Sequence, residues 1–234
     1  TAPNHGSILD ITDLENTTDQ NYTSSTTALQ ASWSGFSDNL SGIATYEYGV
    51  GNESFTVNIK DWTIVALDTL VFDDSFMLNN GNTYYVSVRA IDFVGNISNI
   101  ISTNGIVADH EGPYGSLASD GDSLDIDRQN NTETYSGYWS TFSDDLSGLL
   151  SYEYALYNST TSSYTTNWEN SNIDTVVSIT DLTLLPDNVY KLHIQGIDSV
   201  LNAGSILSSN GVLVDVSAPE EPQSLVGWFS KNRI

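Results

Sequence analysis

The sequence predicts an all-β protein made of two β-sandwich domains in tandem, and three observations carry that prediction. A shift of 106 superimposes the chain on itself without a net gap from Leu29 to Asp109, with 28 identities in 81 positions. A period near 100 residues is that of a whole domain, so entire domains have been duplicated. Within each copy apolar and polar residues alternate at every second position, and no stretch carries a helical stripe. The polar residues are chiefly Ser, Thr and Asn, which suit strands and turns better than helices.

Each element follows from the same alternation. Leu29, Ala31 and Trp33 share one face of a strand and Gln30, Ser32 and Ser34 the other, with Trp33 repeated as Trp139. Tyr46, Tyr48 and Val50 form the next inward row, echoed by Tyr152, Tyr154 and Leu156. Trp62 and Trp168 follow in the polar contexts KDWTI and TNWEN. The segments Val71-Phe72-Asp73 and Val177-Ser178-Ile179 share no clean register and give the weakest strand. Tyr84, Val86, Val88 and Ala90 alternate with Tyr85, Ser87 and Arg89, and Tyr190, Leu192, Ile194 and Gly196 alternate with Lys191, His193 and Gln195. Pro113 recurs as Pro219, which gives domains at 1–109 and 110–216 and the opening of a truncated third repeat at 217–234. The expectation is a piece of a longer array.

A Trp on an early strand, a Tyr-rich strand after it and then LLPDNVYKLHIQGID from Leu184 to Asp198 together resemble the fibronectin type III domain. In that family a Leu-x-Pro-x-x-x-Tyr stretch makes a tyrosine corner, matched here by Leu184, Pro186 and Tyr190. The first copy keeps Leu78 and Tyr84 with Asn80 at the proline position. The resemblance implies seven-stranded Greek-key sandwiches, fibronectin III or immunoglobulin-like, arranged end to end. The Asp-x-x-Ser-Gly phrase before Tyr-Glu-Tyr, with Ile-Asp-x-x-x-Asn later, is also similar to repeats of large bacterial surface proteins.

Thirty acidic residues against six basic ones give a formal charge of −24. Such a surface repels phosphate backbones and anionic lipid, so nucleic-acid partners are excluded and divalent cations favoured. Cysteine is absent, which removes disulfides, thiolate nucleophiles and Cys-based zinc sites. No apolar run reaches the roughly 20 residues of a membrane-spanning helix, so membrane insertion is not expected.

The phrases SDNLSG and SDDLSG, from Ser37 and Ser143, become the loop between the second and third strands. DFVGN, from Asp92 to Asn96, becomes the loop after the sixth. One reading is structural: Asp accepts backbone N–H groups and Gly supplies the turn. The other is a calcium site, since calcium takes six to eight oxygens, several of them carboxylate. The linker ADHEGP would bring Asp109 and Glu111 to Asp144, Asp145 and Asp198, stiffening the interdomain joint. Asp38 and Asp92 form the matching half-site of the first copy, and Asp215 would serve a third domain. The acidic run DGDSLDID, Asp120 to Asp127, fails the EF-hand template and reads as a solvated loop, echoed by Asp10, Asp13 and Glu15.

Catalytic constellations are lacking. His5, His110 and His193 have no counterparts between the copies, no serine sits in a nucleophile elbow, and no phosphate-cradling glycine loop occurs. Trp62 and Trp168 are candidate ligand residues that could stack on a sugar, or could simply cover a sheet edge. The expectation is therefore a non-catalytic structural or adhesive module of an extracellular or cell-surface protein. Its partners are neighbouring repeats, and as a fragment it is a monomer. The alternative is a carbohydrate- or protein-binding accessory module beside an extracellular enzyme.

Overall fold

The computed structural model describes residues 1–13 and 18–220. Its first sandwich contains β1 (Ser7–Ile11), β2 (Tyr22–Thr23), β3 (Leu29–Ser34), β4 (Ile43–Gly51), β5 (Lys60–Ile64), β6 (Leu70–Asp73), β7 (Thr83–Asp92), β8 (Ile101–Ser102) and β9 (Ile106–Ala108). One sheet has the order β1-β3-β6; the other runs β2-β9-β7-β4-β5, with β8 also on β7. The first strand thus changes sheets between β1 and β2, and the last is broken between β8 and β9. Joining those pieces gives seven strands.

The second sandwich repeats the plan with β10 (Ala118–Asp120), β11 (Arg128–Gln129), β12 (Tyr135–Trp139), β13 (Leu149–Asn158), β14 (Ser163–Tyr164), β15 (Glu169–Asn172), β16 (Val176–Ile179), β17 (Val189–Asp198), β18 (Leu207–Ser208) and β19 (Val212–Val214). Its sheets are β10-β12-β16 and β11-β19-β17-β13-β14, with β15 on β13 and β18 on β17. In both domains the switched piece of the first strand pairs parallel to the last: Tyr22 opposite Val107, and Arg128 opposite Leu213. All other strand pairs are antiparallel.

The inward rows are those the alternation marks. Leu29, Ala31, Trp33, Tyr46, Tyr48, Val50, Tyr84, Val86, Val88 and Ala90 are buried in one core. At its centre Trp33 and Phe36 meet Tyr46 edge-on, with ring centroids 5.9 and 5.3 Å apart. Trp139 and Phe142 hold Tyr152 in the same way at 5.5 and 5.3 Å. Such edge-to-face pairs add about 0.5–1.5 kcal/mol each beyond the area they bury.

The tyrosine corner forms in both domains: Tyr84 Oη accepts the Asn79 N–H and Tyr190 Oη the Leu185 N–H, both at 2.8 Å. Asn80 in place of proline leaves that bond unchanged. Its Oδ1 instead accepts the His110 N–H at 2.7 Å, tying the linker to the first domain.

The weakest strand does have one register in both copies, since Val71 lies opposite Ala31 and Val177 opposite Gly137. Its alternation is hidden because the inward residue after Val71 is Asp73, 9% exposed. That carboxylate accepts the Tyr48 hydroxyl and pairs with Lys60 Nζ, both at 2.5 Å.

The reading of the acidic runs as solvated loops is corrected at two positions. Asp10 and Asp120 are fully buried strand residues. They accept the N–H groups of Gly105 and Gly211, at 3.1 and 2.7 Å, where the last strand is broken. The rest of the 120–127 run is exposed from Asp122 to Asp127, and Glu15 lies outside the described residues.

Candidate functional site

The duplicated Asp-x-x-Ser-Gly phrase builds a loop that closes on its own first residue. Asp38 Oδ1 accepts N–H groups from Leu40, Ser41 and Gly42 at 3.1, 2.7 and 2.8 Å. Asp144 Oδ1 accepts those of Leu146 and Gly148 at 3.1 and 2.7 Å. The loop ends in the left-handed region, φ 73° at Gly42 and 83° at Gly148, which glycine adopts without strain. The structural role of the phrase is therefore real.

A second loop is built the same way at the end of the long sixth strand. Asp92 Oδ1 accepts the Val94 and Asn96 N–H groups, and Oδ2 accepts the Asn96 amide. Asp198 does the same with Val200 and Asn202. Backbone bonds from Phe93 to the Gly42 carbonyl and from Ser199 to the Gly148 carbonyl bring the two loops together at one pole of each domain.

Burial works against ionisation of both first-domain aspartates, but their hydrogen bonds outweigh it. The donors from Asn96, Ser41 and Val94 take the Asp92 carboxyl down to about 2, and those from Ser41, Gly42 and Leu40 lower Asp38.

At the second pole the linker arrives. The Asp109 N–H donates to the Thr23 carbonyl of the first domain at 2.8 Å. Its carboxylate accepts the Ser147 N–H at 3.0 Å and its carbonyl the Asn202 amide at 2.9 Å, both from the second domain. One oxygen each of Asp109, Asp144 and Asp198 lie within 4.8 Å of one another. Asp109 and Asp198 are 1% and 0% exposed. The Ser147 hydroxyl beside them is buried with no hydrogen-bond partner, whereas its counterpart Ser41 donates to Asp38 at 3.2 Å.

Of the five acids the sequence nominates for this joint, the structure gathers three. Glu111 and Asp145 are exposed and line an adjoining cleft of about 180 Å³ with Asn80 and Tyr114. Sequence reasoning missed Ser147 and Asn202, although the repeated Ser of the phrase and the Ile-Asp-x-x-x-Asn pattern carried them. At the first pole Asp38 and Asp92 sit in equivalent loops, no third acid gathers with them among the described residues, and the Asn96 amide reaches the Thr1 carbonyl at 3.3 Å. Asp215 accepts from Ser217 and pairs with Arg128 at 3.4 Å.

Trp62 and Trp168 lie on the outer face of the larger sheets. Trp62 stands in β5, Trp168 immediately before β15, and both are half-buried. The two are 106 apart and share one register.

Two sheets in the order described, the tyrosine corner and a first strand that crosses to the other sheet define fibronectin III or immunoglobulin-like sandwiches. Among solved structures the chain is similar to consecutive domains of titin, with 9% identity, 84% of this chain and 62% of that one covered, and a TM-score of 0.52. It is also similar to the FN1–FN3 domains of chicken CNTN1, with 12% identity, 91% and 67% covered, and a TM-score of 0.39. The titin likeness shows the fold alone. No protein family matches the sequence, and no curated protein does. Among the described residues no helix is long and apolar enough to cross a membrane.

Proposed function

We propose that this chain is a non-catalytic structural segment of a larger extracellular or cell-surface protein, and that a calcium ion braces the joint between its repeats. The observation that carries this reading is the meeting of Asp109, Asp144 and Asp198 within 4.8 Å across the joint. Three carboxylates so close repel one another, and N–H donors from Leu146, Ser147, Gly148, Val200 and Asn202 offset only part of that charge. A divalent cation would offset the remainder. Calcium suits oxygen-only ligands at a site that also offers the Ser147 hydroxyl. Support for the structural role comes from the duplication itself and from a linker hydrogen-bonded to both domains. The acidic surface supports the extracellular setting.

Calorimetry and small-angle scattering, with calcium and then with chelator, test the reading. Calcium is expected to raise the thermal midpoint of the second domain and narrow the spread of interdomain distances. Asp109→Asn should remove both effects while leaving the chelated protein folded. Identical melting and scattering with and without calcium would end the proposal.

A further inference from the structure

The outer faces of the two larger sheets differ in one respect that points to a ligand. In the first domain the Arg89 guanidinium lies over the Trp62 ring, its Cζ 4.2 Å from the centroid. Glu47, opposite Arg89 across the β4–β7 pair, holds that guanidinium at 2.7 Å. Indole below and carboxylate beside is an arrangement that suits a planar cation: the ring face attracts it and the carboxylate fixes its orientation.

The second domain keeps the indole and the carboxylate as Trp168 and Glu153 but has Gln195 where Arg89 stands. The Gln195 amide donates to Glu153 at 2.8 Å. It is neutral, so the carboxylate keeps its charge. More aromatic surface is added here as well. Tyr164, 44% exposed, lies 5.7 Å from Trp168, and Tyr157 stacks on His193 at 4.6 Å. The first domain has Asn58, Gly51 and Ser87 at those positions, so the sandwich folds without these rings. Lys191, the nearest cation in sequence, runs along Gly211 on the side of β17 remote from β15.

We infer that Trp168 and Glu153, flanked by Tyr164, form a seat for a guanidinium group: an exposed arginine of a partner protein takes the place that Arg89 fills in the first domain. The charge of −24 draws a basic partner to this surface. Anionic ligands are excluded for the same reason. The inference is independent of the calcium joint, which lies at the pole of the domain.

The probe is a short capped peptide, Gly-Arg-Gly, titrated into the ¹⁵N-labelled protein, with its citrulline analogue and a neutral tetrasaccharide in parallel arms. The arginine peptide is expected to shift the Trp168 Nε1–H resonance with an affinity of roughly 1 mM. The citrulline peptide should bind at least tenfold more weakly, and added salt should weaken the arginine peptide. Gln195→Arg should fill the seat from within and abolish binding, with the unfolding midpoint no lower than that of the parent protein. Absence of a shift, equal binding of the citrulline peptide, binding retained by Gln195→Arg, or a response to the saccharide in place of arginine would each overturn the assignment.

Discussion

The two domains share a plan but fill several of their matched positions differently. Over Asp120 the second domain places the Tyr135 hydroxyl, whereas over Asp10 the first has Leu29. Between β5 and its weakest strand the first domain pairs the half-buried Lys60 with Asp73, where the second has Thr166 and Ile179. Arg89 is matched by Gln195. At the tip of the last Asp-closed loop, Gly95 with φ 89° is matched by Leu201 with φ 69°. What both domains retain is the aromatic triplet, the tyrosine corner and the Asp-closed loops. These are the parts that set strand register and chain direction, and the variable positions are solutions to local problems that the fold leaves open.

The comparison is broken most severely at the retained centre. Trp33→Ala and Trp139→Ala should each cost about 3–5 kcal/mol, and each should lower only its own domain's transition in a two-peak calorimetric scan. A common drop of both transitions would show one cooperative unit in place of two.

Next in size is the buried acid of the second domain. Asp120 is satisfied by Tyr135, by the Ser209 hydroxyl at 2.8 Å and by the Gly211 N–H. Tyr135→Phe removes one donor from a buried carboxyl and should cost about 1.5–3 kcal/mol in urea unfolding. The first domain has Leu29 at the matched position, so it has no such hydroxyl to lose.

The first domain should answer instead to pH. Asp10 Oδ1 is buried without a hydrogen-bond partner, and burial pushes the carboxyl up to about 7 against donors from Thr103 and Gly105. The native state therefore holds this proton between pH 4 and 7 while the unfolded chain releases it. The associated stability is full below pH 4 and lost as pH rises through 7, an effect of at most about 4 kcal/mol. Asp92, held down to about 2, acts in the opposite sense, with stability lost as pH falls from 4 toward 2. A midpoint for the first domain that declines from pH 5 to pH 8, and flattens in Asp10→Asn, is the expected result.

The smallest effect sharpens the comparison rather than breaking it. Leu201 is exposed and sits where its counterpart is glycine. Leu201→Gly should stabilise the second domain by about 1 kcal/mol by relieving the left-handed strain. Gly95→Leu should cost the first domain a similar amount.

The strands of Trp33, Tyr46 and Tyr84 were legible because burial on one face alone imposes a period of two that nothing else in the sequence mimics. The strand of Asp73 was not, because its inward carboxylate is neutralised by a lysine 13 residues away that composition does not pair with it. Asp10 and Asp120 were misread for a related reason. Each stands beside exposed acids, and only the broken last strand, some 90 residues on, supplies the N–H groups that let a carboxylate be buried. At the joint, the loops that carry Asp144 and Asp198 were legible from the repeated phrase. That Asp109 joins them while Glu111 and Asp145 face outward depends on the linker's hydrogen bonds to Thr23 and Asn202, which spacing does not reveal.

The parallel pairing of β2 with β9, and of β11 with β19, has a mechanical consequence. Tension entering a domain by its first strand and leaving by its last pulls these two edges past each other along their length. The bonds from Val107 to Asn21 and from Asp109 to Thr23 then stretch together, as do those from Leu213 to Asp127 and from Asp215 to Gln129. Shear of this kind must rupture its bonds at once, where peeling would take them singly, so each sandwich resists extension through its two terminal strands before its core is disturbed.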